Sequence, residues 1–292
     1  MESIFELNSV LAAFAGGVFG TSIGGLSAFL FCGFLILAGE LIVIAGGPET
    51  FTTQIGLGPL FGPHVAFAAA TVAAAYAGKK GYLDTGVDIL TPLIKFKDWR
   101  ILAVGGIFGI IGYLLGAFFT GLDLPTDVLA LTIVLLQISA RLIWGNTGIF
   151  GEFDTCKSDC DSRWKWDASE EGCWVPAQRT IGLTIILGLG VGVASGYMVL
   201  MTDSVFIGFG FAGFLLILLQ TIGVGPVTHH IALPAALATA ATGSLIVGGV
   251  FGIIAAFAAD LLSRAFTDWA DTYIDPPACS ILVVSTLVIL VL

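Results

Sequence analysis

The sequence predicts an all-α polytopic membrane protein. It has about ten transmembrane segments in two inverted five-segment repeats, with short broken helices at segments three and eight. Three observations predict this. The composition is too apolar for water, ten apolar stretches are separated by polar or Gly-Pro connections, and the stretches of the second half recur in the order of the first.

Of 292 residues, 57% are hydrophobic and 11% charged, and the mean hydropathy is +1.01. A soluble domain carries about a quarter charged residues. A helix that crosses a bilayer needs about 20 apolar residues, and the longer stretches supply them. The 39 glycines point to close helix–helix packing. The formal net charge is −10, with the acids mostly in connections, notably 152–171. No basic patch is available to meet phosphates, so the chain is expected to have no nucleic-acid partner. The start, MESIFELNSV, lacks a basic n-region, and the first apolar stretch continues to Gly47. No cleavable leader is therefore expected.

The apolar segments are 9–24, 25–47, 64–78, 101–119, 126–145, 180–200, 204–224, 230–243, 245–264 and 278–292. The third and eighth each follow a Gly-Pro, at Gly62–Pro63 and Gly225–Pro226. A helix of 16 residues or fewer reaches only about 24 Å, so these two are read as half-length or broken. If all ten cross, all eleven Lys and Arg fall on one side, in the 79–100 connection, at Arg141 near the end of the fifth segment, in the 146–179 connection and at Arg264. The positive-inside rule makes that side cytoplasmic, with both termini outside, in the plasma membrane of a prokaryote.

The internal recurrence divides the chain into a first repeat (1–145), a cytoplasmic acidic Cys/Trp-rich linker (146–179) and a second repeat (180–292). VGGIFGIIGYLLGAFF (104–119) matches VGGVFGIIAAFAADLL (247–262). CGFLILAGEL (32–41) matches AGFLLILLQT (212–221), which sets Glu40 opposite Gln220. Gly16, Gly20 and Gly24 stand over Gly188, Gly192 and Gly196. DLPTDVLALTIVLLQI (123–138) resembles IDPPACSILVVSTLVI (274–289), and GPHVAFAAATVAAAYAG (62–78) sets His64 over His230. Five crossings per repeat is odd, so the halves must be inverted. In such plans the site lies near the midplane, where short Gly/Pro-interrupted segments meet. The glycine ladders themselves are read as packing.

Glu40 sits inside an apolar run, where an ionisable group costs about 3 kcal/mol or more and marks a functional site by default. The expected pathway residues are Glu40 and His64 in one cluster, and Gln220, His229 and His230 in the other. Histidine can accept, donate or ligate, and free N–H groups at a helix start favour anions or polar oxygens. A buried glutamate favours cations or a transferable proton. The same residues also fit structural roles: His64 and His230 as caps of broken helices, Glu40 as a buried bond, and Pro234 as a kink. Adjacent His229 and His230 diverge by about 100° on a helix, so joint ligation of one ion is disfavoured. Thr21, Ser22, Thr202 and Asp203 lie where the first two segments of each repeat meet, and Asp203 reads as a solvated loop acid.

The linker holds Cys156, Cys160 and Cys173 without a zinc spacing, so a metal remains open. Its Trp164, Trp166 and Trp174 are expected to fold against the bilayer or a partner. The stretch 84–99 is read as an amphipathic interfacial helix. No P-loop, GxSxG, HExxH or dinucleotide fingerprint occurs, so no enzymatic activity and no cofactor are expected. The reading is a secondary transporter or channel for a small polar solute or ion, with possible proton coupling and possible assembly as a homo-oligomer. A non-transporting membrane scaffold and an intramembrane metal or redox protein are the alternatives. The five-plus-five plan resembles that of several transporter and channel classes.

Overall fold

The computed structural model describes residues 6–154, 162–164 and 174–292. Within them the chain is helical, with one isolated bridge between Gly86 and Thr272 and no strand. The helices are α1 (Leu7–Ile23), α2 (Gly25–Ile44), α3 (Ala68–Lys79), α4 (Trp99–Gly121), α5 (Val128–Trp144), α6 (Ile181–Thr202), α7 (Ile207–Phe214), α8 (Ile217–Ile222), α9 (His229–Thr242), α10 (Leu245–Phe266) and α11 (Pro276–Val291). Four of them, α2, α4, α6 and α10, are long and apolar enough to cross a membrane. Each of the ten apolar segments holds a helix, but the seventh is split at Leu215–Leu216 into α7 and α8.

Glycine decides which helices touch. On α1, a Cβ on Gly17 would lie 2.2 Å from the Gly105 carbonyl oxygen, and on α6, one on Gly192 would lie 2.7 Å from that of Gly248. Only glycine lets α1 approach α4, and α6 approach α10, this closely. The register differs from the sequence alignment of the ladders. Gly17, not Gly20, occupies on α1 the place that Gly192 occupies on α6, while Gly16 and Gly20 meet the Leu60 and Ala66 carbonyls. Gly17 points about 100° away from its neighbour Gly16, whereas Gly16 and Gly20 share a face, so the alignment chose the neighbouring face.

The two halves meet through α2 on α7 and α5 on α11. Helices α5 and α11 run antiparallel: Thr126 Oγ1 lies 2.6 Å from Thr286 Oγ1, and Asp275 N–H donates to Gln137 Oε1 at 2.7 Å. One core cluster takes Phe29, Phe67 and Ile133 from the first half and Phe209, Val227 and Ile281 from the second.

The connections sort into two ends. At one, Lys79 donates to Asn146 (2.8 Å), Gly86 to the Asp271 carbonyl (2.9 Å), Gln178 to the Val227 carbonyl (3.1 Å) and Arg179 to Asp268 (2.8 Å). Arg141 is buried at this end and staples the 267–274 connection through Thr272 Oγ1 (2.8 Å) and the Phe266 and Thr272 carbonyls. At the other end Glu40, Thr52 and Ser204 gather.

The stretch 84–99 is not a helix beyond one 3₁₀ turn at Leu93–Phe96. Asp88 instead caps its own turn, accepting from Leu90 N–H (2.9 Å) and Thr91 N–H (3.0 Å), and Ile89 lends its carbonyl to Leu26 N–H (2.8 Å). Backbone groups used in this way are lost to a helix. Hydrogen bonds from the Arg100 side chain, then from its N–H and from Tyr82, hold the Asp98 carboxyl well below the usual carboxylate range.

Candidate functional site

The Gly-Pro breaks shape the centre. After Gly62–Pro63 the chain makes a π-helical turn, Pro63–Phe67, before α3. His64 on this turn is 4% exposed, and its Nδ1 has no hydrogen-bond partner. Its carbonyl would lie 2.0 Å from a Cβ on Gly112, and its ring rests on Gly116. After Gly225–Pro226 the chain has no regular structure until Thr228. Both backbone groups of Val227 pair with the Gln178 side chain, N–H to Oε1 and Nε2 to carbonyl, each at 3.1 Å. A side chain thus satisfies the groups that the helix break frees.

His229 and His230 open α9 with rings 5.8 Å apart and perpendicular. They diverge, as adjacent helical residues must. His229 lies against Phe29 at 4.4 Å between centroids and Phe209 at 5.9 Å. His230 faces Trp174 at 5.8 Å. Neither Nδ1 has a hydrogen-bond partner. Among the described residues no three His, Cys, Asp or Glu come together as a metal cluster.

Three cavities surround these rings. The widest, about 440 Å³, is lined by Asp88 and Leu90 of one connection, Asp268 and Tyr273 of another, and Phe29 and His229 deeper in the helices. A second, about 40 Å³, shares Phe29, His229 and Asp275 with the first and adds Asp127, Pro63 and Phe206. A third, about 20 Å³, holds His230 beside Arg179 and Asp260. There Arg179 pairs with Asp268 at 2.8 Å and Asp260 at 3.1 Å, and Arg264 pairs with Asp260 at 2.8 Å.

Glu40 and His64 do not bond to each other. Glu40 is 7% exposed near the end of α2 and accepts from Thr52 Oγ1 at 2.8 Å and Ser204 Oγ at 2.5 Å. Ser204 also receives the Phe206 and Ile207 N–H groups, so it ties Glu40 to the start of α7. Gln220 lies on α8, and its Oε1 has no partner. Thr21 is fully buried, Ser22 bonds the Phe19 carbonyl, Thr202 bonds that of Met198, and Asp203 is exposed. Trp174 docks inside the chain, donating to Tyr273 Oη at 3.0 Å, while Trp164 is exposed. Cys156, Cys160, Cys173 and Trp166 lie outside the described residues.

Sequence reasoning missed Asp275. It caps α11 by accepting from Ala278 N–H (2.8 Å) and also accepts from Tyr273 Oη (3.0 Å), and it is 4% exposed. Gln137, which takes the Asp275 N–H, lies seven residues before the end of α5 at Trp144, about 10 Å along the helix. The signal was present: an acid followed by two prolines is a helix-start signature. Asp127 caps α5 the same way, through Ala130 N–H at 2.8 Å. The capping matches Asp127 with Asp275, three residues away from the sequence alignment of these segments.

With this geometry in place, the chain can be compared with known proteins. It belongs to the DUF7973 family, a family of unknown function, which matches residues 1–292. No curated protein and no solved structure matches it.

Proposed function

We propose that the chain is a membrane secondary transporter or channel made of two inverted five-segment repeats, which moves a small polar solute or ion along their interface. The observation that carries this reading is the pair of cavities that share Phe29, His229 and Asp275. The wide one reaches the connections of the basic end, and the narrow one continues on the other side of His229 toward Pro63 and Asp127. Ten crossings put every basic residue on the cytoplasmic side of a prokaryotic plasma membrane, with both termini outside. The corresponding packing of α1 on α4 and of α6 on α10, and the matched caps Asp127 and Asp275, support the repeat.

In this reading the structure is inward-facing. The wide cavity opens toward the cytoplasm, while Glu40, Thr52 and Ser204 seal the outer end. Solute enters at the cavity, reaches His229, and passes when one repeat rocks against the other and the Glu40 contacts part. Glu40 or a histidine carries a coupled proton where transport is proton-driven. Uptake by proteoliposomes across a panel of ions and small solutes tests this. Flux that is present in the wild type and lost in Glu40→Gln combined with His64→Ala supports the assignment of both residues. Unchanged flux in that variant removes them from the pathway.

A further inference from the structure

Building on the transport reading, we propose that the wide cavity is a binding site for a compact organic cation: a protonated amine on an apolar or aromatic body, with its N–H groups directed at Asp275 and His229.

The lining fixes the sign of the charge. Asp88, Asp268 and Asp275 line the cavity, and among the described residues no Lys or Arg does. An anion would meet like charge there. Two of the three carboxylates are already engaged, Asp268 by Arg179 at 2.8 Å and Asp88 by the N–H groups and hydroxyl of its own turn. Asp275 has no cationic partner among the described residues. It receives only Tyr273 Oη and Ala278 N–H. Because the Trp174 indole can only donate, it turns the Tyr273 hydroxyl hydrogen toward Asp275. A carboxylate offers about four acceptor sites, so Asp275 has room for an ammonium donor.

The rest of the lining fixes the body of the ligand. Phe29, Phe67, Trp174 and Tyr273 supply aromatic surface, which attracts ammonium groups and packs on apolar bodies. A hard metal ion wants six or more oxygens drawn together, and among the described residues these carboxylates do not gather into a metal cluster. His229 is 4% exposed, lines the cavity, and has an unpartnered Nδ1. It gives a donor-bearing amine a second acceptor that a quaternary ammonium cannot use.

The test uses three probes of one shape and different charge, benzylammonium, benzyl alcohol and benzoate, on the purified full chain. Calorimetric titration and thermal unfolding are read together. Benzylammonium is expected to bind and to raise the melting temperature, and benzoate to do neither. Asp275→Asn, which still caps a helix, is expected to weaken benzylammonium by about tenfold or more. His229→Phe keeps the ring contact with Phe29 and is expected to weaken it by roughly threefold to tenfold, the loss of one hydrogen bond. Asp203→Asn, at an exposed position outside the cavity, is expected to bind as the wild type does. Equal binding of all three probes, preference for benzoate, or wild-type binding by Asp275→Asn overturns the proposal. Binding of benzylammonium without flux of any solute leaves the cation site standing and removes the transport reading. Flux without benzylammonium binding does the reverse.

Discussion

Glu40 and Gln220 stand opposite each other in the internal recurrence, yet their surroundings differ. Glu40 is buried in an unbroken 20-residue helix with both carboxylate oxygens bonded. Gln220 is on a six-residue helix after a break, and its Oε1 is unpartnered. Leu216, just before α8, and Leu219 on it line the wide cavity. One end of the molecule is closed by the hydrogen bonds of Glu40, and at the other α8 borders the wide cavity.

The strongest way to break this comparison is to open the closed end. Glu40→Ala leaves the Thr52 and Ser204 hydroxyls without their acceptor. It is expected to cost about 2 kcal/mol or more in stability, read by denaturation in mild detergent. A cost as small as that of a surface substitution would mean that Glu40 does not hold this end. Next in size is a cross-link at the same end. Cysteines at Thr126 and Thr286, whose hydroxyls are 2.6 Å apart, are expected to join under oxidation and to lower flux in a way that reductant reverses. Flux unaffected by complete cross-linking would show that this end does not move.

Gln220→Ala is expected to change stability by less than about 0.5 kcal/mol, since its Oε1 has no bond to lose. A cost equal to that of Glu40→Ala would erase the contrast between the two ends. The smallest effect concerns Asp98, whose carboxyl is held below its ordinary range by Arg100 and Tyr82. A depressed folded-state value gives stability that is present above about pH 4 and lost as the pH falls through the folded value. Melting temperatures of the wild type and Asp98→Asn are therefore expected to converge on acidification below pH ~4.

The helices were legible in the sequence because hydropathy and Gly-Pro breaks are local. All ten segments hold a helix, and the breaks before His64 and His229 occur where Gly62–Pro63 and Gly225–Pro226 place them. The divergence of the two adjacent histidines followed from helix geometry alone. The site was only half legible. His229 lines the cavity, but Asp275 was hidden, because its capping role and its depth depend on Tyr273, Ala278 and Gln137. The acidic residues of the Arg179 network were hidden in the same way. Only the fold brings Asp260 within 3.1 Å of Arg179.

The sequence by itself determined that the chain is helical and apolar and where its helices start and stop, since composition, spacing and turn residues carry these properties. Tertiary structure decided the rest. It set which glycine face meets which helix, placed Glu40 with Ser204 rather than with His64, and brought Asp275 to the wall that His229 also lines. Those outcomes depend on contacts between residues up to 164 positions apart. No local pattern encodes them, because a side chain's partner across a helix interface is set by the rotation and register of both helices.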